Sequence, residues 1–135
     1  MMNWGCDIVK VAVSAEGRNL DSQISSVFGR CQCFVMADLE EGKIVDEYPL
    51  ENPAASQSSG AGTSAARTIG QEGTDVLVSG SIGPKAFSSL EQWSIGVYKG
   101  RPGTVRENID RLNSNQLEEA ESPIGPAHMG FDEVR

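Results

Sequence analysis

The chain has 135 residues, with 11 Lys and Arg against 19 Asp and Glu, for a formal net charge of -8 at pH 7. That length suits one domain around a single core, and the acidic balance argues against a duplex nucleic-acid partner, which needs a basic face. No run approaches the roughly 18 consecutive apolar residues of a membrane span and no basic-then-apolar leader opens the chain, so a soluble, unexported, cytoplasmic protein without a membrane partner is expected.

Residues 1 to 6 read as a loose lead-in. Ile8 to Val13 follows as a strand with Val9, Val11 and Val13 on one face, ended by the turn Ser14-Ala15-Glu16-Gly17. From Asp21 as N-cap, the helical spacing of Leu20, Ile24, Val27 and Phe28 predicts a short helix that stops at Gly29. Cys33, Val35, Ala37 and Leu39 then alternate, and Glu41-Gly42 joins that strand to a second arm, Ile44 to Leu50. Asp46, Glu47 and Pro49 mark this arm as an exposed edge.

Residues 51 to 63, ENPAASQSSGAGT, form a long polar loop, and such loops in compact domains are often functional. A helix begins around Gly62 to Ser64, buries Ala65, Ala66 and Ile69, and ends at Gly73. Thr74 to Ala86 is the stretch that anchors the chain. Its run Val76-Leu77-Val78 reads as a strand buried on both faces, and Gly80, Gly83 and Pro84 turn it into a new helix at Lys85. A strand, a glycine-rich turn and a helix N-terminus in succession make an anion site possible, without the Gly-Lys-Ser/Thr ending of a nucleotide P-loop.

The helix after Pro84 turns Ala86, Phe87 and Leu90 to one side, and a short strand follows at Ile95 to Tyr98. Thr104-Val105-Arg106-Glu107 is a capping box that starts a last helix burying Val105, Ile109 and Leu112. Residues 1 to 117 are therefore expected to form one α/β domain, and residues 118 to 135 an acidic, mobile tail.

Sequential strands usually neighbour each other and parallel crossovers are right-handed. The simplest sheet is thus ordered 3-2-1-4-5, with only the second strand antiparallel. In that arrangement loops 14 to 32, 51 to 63, 79 to 84 and 99 to 104 converge on the carboxyl edge, where open α/β sheets bind ligands. Three helix N-termini and six cations, Arg18, Arg30, Lys85, Lys99, Arg101 and Arg106, are expected at that edge and favour an anion.

With these pieces in place, the chain resembles the dinitrogenase iron-molybdenum cofactor biosynthesis family, which includes nitrogenase-cofactor carriers and the C-terminal domain of the NifB cofactor-synthesis protein. The matching segments are IVKVAVS, FGRCQCF, the ENP and GAG pieces, SGSIGPKA and SIGVYKG, spread from about Ile8 to Leu117. The resemblance implies a five-stranded ribonuclease-H-like α/β fold that binds and carries iron-sulfur or iron-molybdenum clusters and is not an enzyme. It carries FGR, GAG and SGSIGPKA onto Phe28 to Arg30, Gly60 to Gly62 and Ser79 to Ala86. The expected partners are proteins that donate or accept the cluster.

The ligand is then expected over the loop edge, with N–H groups from Gly60, Ala61, Gly62, Ser81, Ile82 and Gly83 and charge from Arg30 and Lys85. Three cysteines are odd in number and too few for a disulfide scaffold, so they read as reduced thiols or metal ligands. Cys31 and Cys33, two apart on one strand face near positive helix ends, are candidate metal ligands, Cys31 the better one. The competing reading makes both small buried hydrophobes. His128, in the tail, would join them only if the tail folds back.

Nuclease chemistry needs clustered carboxylates for two metals, and the first strand carries none in its interior. Covalent catalysis lacks a base beside a nucleophile, because His128 is the sole histidine. The rival function is a regulatory module that binds a nucleotide or other anionic small molecule in the same loops without metal.

Overall fold

A computed structural model of the chain describes residues 8–56 and 60–125. It contains β1 (Ile8–Ala15), β2 (Cys33–Glu40), β3 (Lys43–Glu51), α1 (Ala61–Gln71), β4 (Val76–Ser79), α2 (Pro84–Gln92), β5 (Gly96–Lys99) and α3 (Val105–Asn113), with a short 3-10 turn at Pro53–Ser56. The five strands form one mixed sheet in the order β3-β2-β1-β4-β5. β2 is antiparallel to β1 and β3, while β1–β4 and β4–β5 are parallel. The expected order and the single antiparallel strand are both present.

Period-two alternation sorts the strand residues into two cores. Ala12, Phe34, Met36 and Leu77 pack with Ala65, Ala66 and Ile69 of α1 and with Ala86, Phe87 and Leu90 of α2. Val9, Val11, Val13, Val35 and Val78 pack on the opposite face with Val105, Ile109 and Leu112 of α3. Every residue of β4 is buried, as a central parallel strand covered by helices on both faces requires.

The short helix expected from Asp21 is absent. Residues 16–32 hold only turns and isolated bridges, Ala15 to Ile24, Gln23 to Thr104 and Val27 to Ser81. The reason lies in the apolar spacing itself. Leu20 and Ile24 enter the α3-side core while Phe28 enters the α1/α2-side core, and one helix stripe cannot serve both faces of a sheet.

The segment after Leu117 also departs from a mobile tail as far as residue 125. Lys99 N–H donates to Glu118 O at 2.8 Å and Ala120 N–H donates to Val97 O at 2.8 Å, so the segment runs along β5 and covers an edge that would otherwise be unpaired. Ala120 and Ile124 are buried in the α1/α2-side core. The rest of the proposed tail, with His128, lies outside the described residues, as does Cys6. Among the described residues no helix is long and apolar enough to cross a membrane.

Candidate functional site

Parallel pairing of β1, β4 and β5 puts the starts of α1 and α2 at the carboxyl edge of the sheet. The loop leaving β4 is fastened on two sides. Ser81 N–H donates to Ser26 O at 2.8 Å, and Phe28 N–H donates to Ser81 O at 3.1 Å. On the other side Ile82 and Ile124 exchange backbone bonds of 2.9 and 3.0 Å. Between this loop, the turn at residues 27–30 and the start of α1 lies a cleft of about 610 Å³.

Seven of the eight predicted binding residues line that cleft: Arg30, Gly60, Ala61, Gly62, Ser81, Gly83 and Lys85. Ile82, the eighth, is 1% exposed and faces the core instead, so its side chain anchors the loop. Phe28, Gly29, Pro84 and Ala86, which belong to the FGR and SGSIGPKA motifs, complete the wall with Val27 and Thr63, which lie outside the motifs. The signal for Val27 and Thr63 was adjacency, since each is next to a motif residue, Phe28 and Gly62.

The helix ends at the cleft are unusual in what they lack. Gly60 caps α1 in the left-handed region, φ 73°, and Gly83 caps α2; neither end has a side-chain cap or an acidic residue in its first turn. First-turn N–H groups have no carbonyl one turn back, so those of α1 and of Lys85 and Ala86 in α2 have no intrahelical acceptor. By contrast α3 is fully capped, with Thr104 Oγ1 accepting from Glu107 N–H at 3.1 Å and Glu107 Oε1 accepting from Thr104 N–H at 2.9 Å.

The third helix end and loop 99–104 do not line the cleft. Asn108 holds that loop on the α3 side, accepting from Arg101 N–H at 2.8 Å and donating to Arg101 O at 2.9 Å. The expected cations divide accordingly. Arg18 pairs with Glu51, Lys99 with Glu118 and Arg106 with Asp21; Arg101 stands in the loop held by Asn108, and Arg30 and Lys85 stand on the cleft wall. No Asp or Glu is among the described residues of that wall.

The cysteines are placed differently from the expected pair. Cys31 precedes β2 and packs with Phe28 and Phe34 in the α1/α2-side core, 2% exposed. Cys33 opens β2 in phase with Val35. Burial pushes the Cys31 thiol up to about 12, against lowering by hydrogen bonds from the Ala15 backbone and the Asn52 side chain. Burial raises the Cys33 thiol as well. The expected lowering is outweighed by burial, although the Arg18 charge lowers the Cys33 thiol, and neither cysteine is among the residues that line the cleft. No group of three or more His, Cys, Asp or Glu able to hold a metal ion occurs among the described residues.

Fold and cleft together define a small open-sheet α/β domain whose carboxyl edge gathers two uncapped helix N-termini. The chain belongs to the dinitrogenase iron-molybdenum cofactor family, whose model it matches over residues 9–115. It is 32% identical over 114 residues to the uncharacterized protein MJ0580 of Methanocaldococcus jannaschii, covering 84% of this chain and 93% of that one. Among solved structures it is similar to the apo form of the orange protein from Desulfovibrio gigas, with a TM-score of 0.77, 34% identity and coverage of 86% of this chain and 96% of the other. A putative NifB protein from Thermotoga is similar at a TM-score of 0.71 and 30% identity, covering 82% and 92% of the two chains.

Proposed function

We propose that this protein is a non-catalytic carrier that holds an iron-sulfur or iron-molybdenum type cluster in the carboxyl-edge cleft. The observation that carries the proposal is the convergence of two uncapped helix N-termini, Arg30 and Lys85 around a cleft whose described wall has no carboxylate, in a chain of this family. Each helix end contributes roughly 0.3–1 kcal/mol toward a nearby anion, and charge-assisted hydrogen bonds add to it.

The described residues hold no group of three or more metal-ligating side chains, and what they offer the cluster at the cleft is N–H groups and cations. The cluster would be held by them as an anion, and the apolar wall of Val27, Phe28 and Pro84 would exclude water from one side. A carrier holding cargo this way releases it without breaking a protein–metal bond. That suits transfer between a donor and an acceptor protein inside a cell.

The same wall favours one second reading, a regulatory module for a nucleotide, since Val27 and Phe28 offer an apolar surface beside the anion-binding end. Anaerobic reconstitution with ferrous iron and sulfide, followed by desalting and iron, sulfide and absorption analysis, separates the two. Retained iron and sulfide with visible absorption supports the carrier. A colourless, iron-free protein whose melting temperature rises with ATP supports the second reading and overturns the first.

A further inference from the structure

Asn52 is 5% exposed and lies behind the cleft wall, not on it. Its side-chain amide has two N–H donors, and they reach backbone carbonyls that flank one residue, with a longer contact of 3.7 Å to Cys31 Sγ. Nδ2 donates to Gly29 O at 3.0 Å and to Cys31 O at 2.8 Å, so Arg30 sits between the two fixed points. Two more bonds secure Asn52 itself. Its Oδ1 accepts from Ala54 N–H at 3.2 Å, and its own N–H donates to Gln32 O at 3.4 Å.

The other side of the same turn is closed by α1. An added Cβ on Gly29 would stand 2.9 Å from Gly62 N and 3.0 Å from Gly62 Cα, so the turn rests directly on the first turn of the helix. The Gly29–Cys31 backbone is thereby gripped between Asn52 and the helix end that lines the cleft. Arg30, exposed and on the cleft wall, departs from the gripped backbone.

We infer that Asn52 is a positioning residue for anion binding, acting through Arg30 by clamping the carbonyls on either side of it. The inference rests on the cleft reading above and deepens it: the ligand is the anion held in that cleft, and the guanidinium must be presented from a fixed backbone to meet it. A freely jointed turn would lose rotamer and backbone freedom on binding and weaken the contact.

The test is a double-mutant cycle with tetrathiomolybdate, a compact dianion with a sulfide surface, as the probe, its affinity read from its visible absorption. Arg30→Ala is expected to weaken binding about tenfold, as loss of one charge-assisted bond implies, and Asn52→Ala by a similar factor. The double variant should lose no more than either single one. Lys85→Ala combined with Asn52→Ala should instead multiply their losses. If Asn52→Ala is folded and binds as the wild type does, or if its loss persists in full in the Arg30→Ala background, the inference is wrong and Asn52 is only a structural bond. Absence of binding by the wild type would overturn the cleft reading and this inference with it. Should Asn52→Ala fail to fold, nuclear magnetic resonance of the wild type decides. The Asn52 side-chain amide protons should be protected from exchange and shift on adding the probe, but not in Arg30→Ala; unprotected or unshifted protons contradict the clamp.

Discussion

A Cβ added to Gly62 would stand 2.7 Å from the Cβ of Ala86, so the first turns of α1 and α2 meet with only the Ala86 methyl between them. That contact brings two positive helix ends together, an arrangement that is relieved when an anion sits between them. Gly62→Ala should force the helices apart and cost about 1–3 kcal/mol, the usual range for overpacking. At Gly83, φ is −72° and an added Cβ meets nothing within 4 Å. Gly83→Ala should therefore change stability by no more than about 0.5 kcal/mol. Urea midpoints of the two variants check the contrast, and equal losses would show that the helix contact is not tight.

Thr104→Ala tests whether the third helix end is separate from the cleft. Loss of its capping box should cost about 0.5–2 kcal/mol. Cargo retention at saturating concentration should be unchanged, because loop 99–104 is held by Asn108 on the other face. Retained metal per chain, measured beside the urea midpoint, reads both effects. A fall in retention out of proportion to stability would place α3 at the site.

Cys31 gives a pH dependence with a definite sign. Its thiol has an ordinary value of 9.0 and is pushed up to about 12 by burial. Below 9 the folded and unfolded states are both neutral. Above it the unfolded state releases the proton first and binds fewer, so stability is lost between about pH 9 and 12, by at most about 1.4 kcal/mol per pH unit. Urea midpoints across that window, wild type against Cys31→Ala, isolate the contribution from other groups; parallel curves would contradict it. The same burial predicts that native Cys31 resists alkylation at neutral pH, measured by mass spectrometry, and reacts in urea.

Much of this architecture was legible because it is written in local patterns. Val9, Val11 and Val13 alternate, Thr104 and Glu107 stand three apart, and Val76 to Val78 is bounded by turn residues. Topology then followed from element order, and topology placed Arg30, the GAG segment and the loop before Lys85 at one edge. What escaped is held by pairing at long range. Leu20, Ile24 and Phe28 imitate a helical stripe, yet they serve opposite faces of the sheet. Asn52 read as part of a loop because its partners are backbone carbonyls of another segment, which leave no trace in composition. The cysteines misled for a related reason: spacing two apart implies one strand face only if both residues are in the strand, and β2 begins at Cys33.

The strap formed by residues 118–125 carries its own prediction. Ile124 is 3% exposed and exchanges both backbone bonds with Ile82 beneath the cleft loop. Ile124→Ala should cost about 2–5 kcal/mol, the range for large-to-small core changes. Exchange of the Ile82 amide should accelerate more than that of β1 amides, because the loop opens locally before the sheet unfolds. Uniform acceleration across both would show that the strap has no separate hold on the site.

Retention of an anionic cluster in the cleft is proposed to depend on Arg30, Lys85 and two helix ends. It is tested most directly by anaerobic reconstitution with ferrous iron and sulfide of the wild type and of the double variant Arg30→Glu, Lys85→Glu, each desalted at low and at high ionic strength before iron and sulfide are assayed. The wild type should retain iron and sulfide, with less of both at high salt, and the charge-reversed variant should retain none. Equal iron and sulfide in both proteins, unaffected by salt, would contradict that dependence.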